Sequence, residues 1–120
     1  MATTLGVGGV FFRAADPQAL AEWYARWLGF ELESERGAHF GPAQMPSGGF
    51  TVWGAFDRNS EYFKTSQTYM INLVVDDLEG ALRQVREGGA AVIGDIQEHE
   101  YGLFGWFEDP EGNQVELWQP

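Results

Sequence analysis

Few side chains in this chain are placed to do chemistry. It has no cysteine, which excludes a thiolate nucleophile, a thiolate metal site and a disulfide framework. Glu116 has the clearest context. It lies in Gln114-Val115-Glu116-Leu117-Trp118, directly after Asp109-Pro110-Glu111-Gly112-Asn113. That run is dense turn chemistry, because Pro fixes φ while Gly and Asn tolerate the left-handed region that reverses a chain. In the strand that follows, period-two alternation puts Gln114, Glu116 and Trp118 on one face and Val115 and Leu117 on the other. If Val115 and Leu117 face a helix-covered core, Glu116 points to the opposite face, which must be solvent or the lining of a cavity. A carboxylate there could serve as a general base or anchor a hydrogen-bond donor.

The other candidates are less well placed. His99 sits in the polar run Gln97-Glu98-His99-Glu100-Tyr101-Gly102; imidazole titrates near neutrality and could act as base or ligand, but a solvated loop is the simpler reading. His39, between Ala38 and Phe40, carries less signal still. Arg13 alternates with Phe12 and Ala14, so it faces away from the helix side and could pair with Glu116 or bind a substrate anion. Gly6, Gly8 and Gly9 lack the spacing of a phosphate loop and precede a strand-like run. Trp53 sits in the alternating segment Phe50–Phe56, while Tyr101, Trp106 and Trp118 lie in or beside strands near the C-terminus. If Trp53 shares a concave face with Glu116, a flat stacking surface meets an anionic anchor, which suits a cationic or planar ligand. Each ring could equally fill the core or a dimer interface.

The elements that must position these residues repeat. A shift of 61 positions places Val10 on Ile71, Phe12 on Leu73 and Asp16 on Asp77. After the first alternating run, Asp16 can cap a helix and Pro17 suits its first position. Leu20, Trp23, Tyr24, Trp27 and Leu28 then form an apolar stripe that stops at Gly29. In the second copy Asp77 caps, Leu78, Ala81, Leu82 and Val85 form the stripe, and Gly88-Gly89 ends it. The segments 49–56, 90–96, 102–107 and 113–118 read as short strands, and 57–67 as a polar connector. Strand, helix, then several strands, done twice, is an α+β arrangement.

The 120 residues, 44% of them hydrophobic, are enough for one core. Residues 1–120 therefore read as a single domain: a first module at about 5–56, the connector at 57–67 and a second module at about 68–120. No apolar run is long enough for a transmembrane helix, and residues 1–8 lack the pattern of a signal peptide, so a cytoplasmic protein is expected. The net charge of −11 repels phosphate backbones and anionic membrane surfaces, which makes nucleic acid and membrane poor partners.

The closing run Asp109-Pro110-Glu111-Gly112-Asn113-Gln114-Val115-Glu116-Leu117 resembles the C-terminal signature of the vicinal oxygen chelate superfamily, the glyoxalase, bleomycin-resistance and extradiol-dioxygenase-like proteins. Residues 9–30 and 69–89 extend the resemblance, and 31–50 are its vaguest stretch. The resemblance implies paired βαβββ modules that curl a mixed sheet into a half-open cup, commonly as a homodimer, with Glu116 at the position of a metal ligand. The family's histidine positions fall here on Gly9 and Met70, and the segment 52–55 offers no His, Asp or Glu. The family leaves room for a divalent metal, but one surviving carboxylate does not hold a catalytic one, so no cofactor is expected. Two functions follow from the resemblance. One is a small-molecule-binding protein of the bleomycin-resistance type, without the usual metal, using Glu116, Trp53, Tyr101, Arg13 and Trp118. The other is a glyoxalase-like lyase, isomerase or dioxygenase acting on a small oxygenated metabolite, with Glu116 as its base.

Overall fold

A computed structural model describes residues 1–120. Its two α-helices begin by the same local code. Helix α1 (Pro17–Leu28) is capped by Asp16, whose Oδ1 accepts from the Ala19 amide at 3.0 Å, and α2 (Leu78–Glu87) by Asp77, whose Oδ1 accepts from the Gly80 amide at 3.0 Å. These bonds satisfy amides that have no partner inside the helix. Gly29 ends α1 at φ 69°, a left-handed conformation that a side chain would oppose. Neither helix is long and apolar enough to cross a membrane.

Strands β3 (Ile71–Val74), β4 (Ala91–His99), β5 (Gly102–Glu108) and β6 (Gln114–Gln119) form a mixed sheet in the order β3-β6-β5-β4. β3 runs parallel to β6, and the other two pairings are antiparallel. With α2 between β3 and β4, the second half is a complete βαβββ unit. The alternation of β6 works as its sequence requires. Val115 and Leu117 meet Leu78, Ala81, Leu82 and Val85 of α2 and Leu20 and Tyr24 of α1 in the core, together with Phe107 of β5. Each such large apolar side chain contributes about 1.5–3 kcal/mol when fully buried. Gly105 lets α2 come close, since a Cβ there would lie 2.9 Å from Leu82 Cδ1.

The α+β class and the glyoxalase-type arrangement hold, with a sheet that stays open. Two strand spans of the first half differ from expectation. Residues 10–15 and 50–56 form no ladder, and they leave Phe11 95% and Trp53 81% exposed. Alternation gives a segment the means to be a strand, but its backbone groups still need a partner strand, and these spans pair with none. The first half instead holds α1 and a small antiparallel hairpin, β1 (Leu32–Ser34) with β2 (Gly37–Ala38), inside the stretch that carried least signal.

Candidate functional site

Glu116 faces away from the helices, as the alternation of β6 predicts, and its register decides its neighbours. Asn72 of β3 and Trp106 of β5 sit opposite it on either side. Only 7% of Glu116 is exposed, and a buried carboxylate is costly unless its oxygens are satisfied. Here Oε1 accepts from Asn72 Nδ2 at 2.7 Å, while Oε2 accepts from Trp106 Nε1 at 2.9 Å and from the Tyr62 hydroxyl at 2.5 Å. All three donors are neutral, and hydrogen bonds to an ionised acceptor are stronger than those between neutral groups.

Tyr62 comes from the polar connector, which Lys64 and Gln67 fasten to the sheet. Lys64 Nζ donates to Glu108 Oε2 at 3.1 Å and to the Gly112 carbonyl, and the Lys64 amide donates to Gln114 Oε1. Gln67 exchanges two bonds with the backbone of Gln114: its Nε2 donates to the carbonyl at 2.9 Å, and its Oε1 accepts from the amide at 2.8 Å. That side chain copies a rung of a sheet ladder. So held, the Tyr62 ring stands edge-on to Trp106, centroids 6.0 Å apart, with Phe56 at 5.2 Å. Burial first, then the hydrogen bond to Glu116 and its charge, hold the Tyr62 hydroxyl protonated far above the usual tyrosine range. Beside it opens a cleft of about 230 Å³ lined by Tyr62, Ile93, Asp95, Gln97, Trp106 and Gln114. Glu116 does not line this cleft, because it lies beneath Tyr62.

Two of the predicted ligand-binding aromatics gather further along the same face. Trp118 stacks on Phe104 with an interplanar angle of 7°, Phe50 packs edge-on against Trp118 at 5.1 Å, and Trp118 Nε1 donates to the Tyr101 carbonyl at 2.7 Å. Trp53 does not join them: it is exposed and stacks on no other ring. Arg13 forms no ion pair with Glu116, which receives only the neutral donors described above. The reason is that Arg13 belongs to the exposed, unpaired segment before α1, not to a strand beside β6. His99 is exposed at the end of β4, with Nε2 3.0 Å from Gln97 Oε1, and exposed His39 pairs with Glu33.

Residues that the sequence did not single out carry much of the geometry. Asn72 escaped notice because register cannot be read from one strand, and Tyr62 because its partner lies 54 positions away. Its signal was the pair Tyr62-Phe63 inside an otherwise polar connector. The acids of the closing turn hold α1. Buried Asp109 accepts from the Tyr24 hydroxyl at 2.9 Å and from the amides of Glu111 and Asn113, while Glu111 accepts from the amides of Ala15 and Asp16.

A divalent metal at the family's position would need ligands around Glu116. No three His, Cys, Asp or Glu side chains come together, Gly9 offers no donor side chain, and Met70 offers only a thioether. With hydrogen-bond donors already on both oxygens of Glu116, the residues present do not fit such a centre.

No curated protein matches the chain in sequence. Among solved structures it is similar to TnmS3, an antibiotic binding protein from Streptomyces sp. CB03234. The TM-score is 0.53 at 20% identity, over 89% of this chain and 88% of that one. A protein of unknown function from Agrobacterium tumefaciens str. C58 is similar at a TM-score of 0.55 and 16% identity, over 98% and 99% of the two chains. TioX from Micromonospora sp. ML1 gives 0.50 at 18% identity, over 87% and 89%. Two other solved structures are matched over only 44% and 52% of their own lengths. At these identities the likeness is one of fold. Residues 9–118 match the profile of the glyoxalase-like domain, and the chain belongs to that family.

Proposed function

We propose that this chain is a small-molecule-binding protein of the glyoxalase and bleomycin-resistance type, working without the family's metal and holding a planar ligand against the face that carries Glu116. The observation that carries this reading is an open cleft walled by the Tyr62 and Trp106 rings, both of which donate to the buried Glu116 carboxylate behind them: a flat wall backed by one strong acceptor is a common makeup of a small-ligand pocket. Three donors already sit on Glu116, two on Oε2 and one on Oε1, and the carboxylate does not line the cleft, which favours binding over proton abstraction. The fold shared with an antibiotic binding protein agrees by analogy. Exposed Phe11, Phe12, Phe50 and Trp53 support a homodimer, since apolar surface of this kind marks interaction sites.

Titrating planar aromatic compounds, cationic and neutral, while following tryptophan fluorescence tests the reading, because Trp106 reports on the cleft. Saturable quenching without chemical change in the compound is expected. Glu116→Gln should weaken it by about tenfold through loss of a charge-assisted hydrogen bond, with the fold intact. The amide can still accept from Trp106, and Asn72 can turn its carbonyl to the new donor. Absence of quenching by every compound, or turnover of a carbonyl compound, would overturn the proposal.

A further inference from the structure

The Tyr62 side chain is the part of the connector that behaves least like a linker. Its ring is substantially exposed, yet its hydroxyl reaches beneath it to a carboxylate that is otherwise buried. It contributes a neutral hydroxyl on a flat ring, donating to Glu116 Oε2, with the ring edge-on to Trp106 and against Phe56. The rest of the Glu116 site comes from the sheet and persists without it. Asn72 and Trp106 sit on strands in fixed register with β6, whereas Tyr62 sits on a segment held by side-chain bonds from Lys64 and Gln67. Exposed side chains on such segments are the ones that exchange most readily.

We infer that Tyr62 is an internal occupant of the binding site, and that the ligand is a neutral hydroxyl-bearing aromatic ring that displaces it and takes over its hydrogen bond to Glu116. This rests on the binding function proposed above and narrows its ligand class. The chemistry selects against ionised alternatives. A phenolate or carboxylate would place a second negative charge against Glu116, in a protein already carrying −11. Burial first, then the hydrogen bond to Glu116 and its charge, keep the Tyr62 hydroxyl protonated, and the same setting would do so for an incoming phenol. An ether or a plain arene would leave Oε2 one donor short. The adjoining cleft, walled by Trp106, Ile93 and Gln97, gives the ligand room beyond the single ring that Tyr62 supplies.

The probe is 2-naphthol, with 2-methoxynaphthalene as its donorless match, titrated into the full chain and into Tyr62→Phe. Tyr62→Phe removes the competing hydroxyl but keeps the ring, so 2-naphthol should bind it about tenfold more tightly than it binds the unaltered protein. The ether, which cannot replace the donor it displaces, should bind each protein about tenfold more weakly than 2-naphthol does. The unaltered protein gives a second readout that does not depend on how the variant folds. At saturation 2-naphthol should move the Trp106 indole N–H resonance, whose proton shares Oε2 with Tyr62, and the ether should not. If the two probes bind equally, or that resonance stays fixed at saturating 2-naphthol, the inference is overturned. Should a planar cation still bind in a Glu116-dependent way in that case, the binding function survives and only the ligand class is wrong. If no aromatic compound binds either protein, both fall together.

Discussion

In both halves of the chain an aspartate caps a helix at its third residue's amide and a glycine follows its last turn, but only the second half pairs its helix with a hydrogen-bonded sheet. α2 buries Leu78, Ala81, Leu82 and Val85 against β5 and β6, whereas α1 buries only Leu20 and Tyr24 and lends partly buried Trp23 and Leu28. The difference follows from where backbone bonds go. A helix closes its own, so cap and stripe suffice to define it; a strand borrows its partners, and 10–15 and 50–56 have none. The first half is therefore secured to the second by side chains. Tyr24 reaches Asp109, Glu111 holds the start of α1, and Trp23 Nε1 donates to the Gly88 carbonyl at 2.9 Å.

The largest effect that tests this contrast is in the shared core. Phe107 is fully buried beneath both helices and stacks against Trp23. Phe107→Ala should destabilise the protein by about 3–5 kcal/mol, read from the denaturant midpoint at constant slope. A loss below about 1 kcal/mol would mean that the second half is not the structural centre of the molecule.

How far this could be read from the sequence divides along the same line. Both caps, both stripes and the facing of Glu116 away from Val115 and Leu117 were legible, because each depends on residues within a few positions of one another. Trp118 does meet Tyr101, but through its indole N–H and the Tyr101 backbone carbonyl in the turn between β4 and β5, a contact that does not depend on the tyrosine ring. What was not legible depends on register between distant segments: Asn72 and Trp106 flanking Glu116, and Tyr62 above it. The expected pairing of Arg13 with Glu116 assumed that residues 10–15 would lie in the sheet, and it failed with that assumption. The hairpin β1–β2 had no turn signal strong enough to stand out among the glycines and charges of 31–38.

A smaller effect should come from the joint between the halves. The Tyr24 hydroxyl donates to Asp109, and burial above all, with the Asp109 charge and hydrogen bond adding to it, raises its ionisation far above the ordinary tyrosine range. In the unfolded chain Tyr24 releases its proton at about pH 10, while the folded protein retains it. Above that pH the native state binds the extra proton, so stability is fully present below about pH 10 and falls beyond it, by about 1.4 kcal/mol per pH unit for one such group. Tyr62 shifts in the same direction, with a smaller share because water screens its half-exposed ring. Urea midpoints measured from about pH 9 to pH 11 should drop, and Tyr24→Phe should flatten the drop. If Tyr24→Phe leaves the slope unchanged, the bond to Asp109 is not what joins α1 to the closing turn.

The smallest expected effect lies in the segment that finds no strand partner. Phe11 is 95% exposed, so Phe11→Ala removes almost no buried surface within one chain and should change its stability by less than about 0.5 kcal/mol in dilute solution. The same ring is a prime candidate to be covered by a second copy under the homodimer proposed above. Truncating it should then raise the concentration at which light scattering reports the doubled mass, while the dilute midpoint stays put. The two measurements separate three situations. A shifted assembly curve with unchanged dilute stability assigns residues 10–15 to the contact between copies and keeps the contrast between the halves. A dilute loss comparable to that of Phe107→Ala would show that this segment packs inside its own chain, and the contrast would collapse. A monomeric mass across the whole concentration series would remove the homodimer, and the apolar residues 10–12 would then need a different cover.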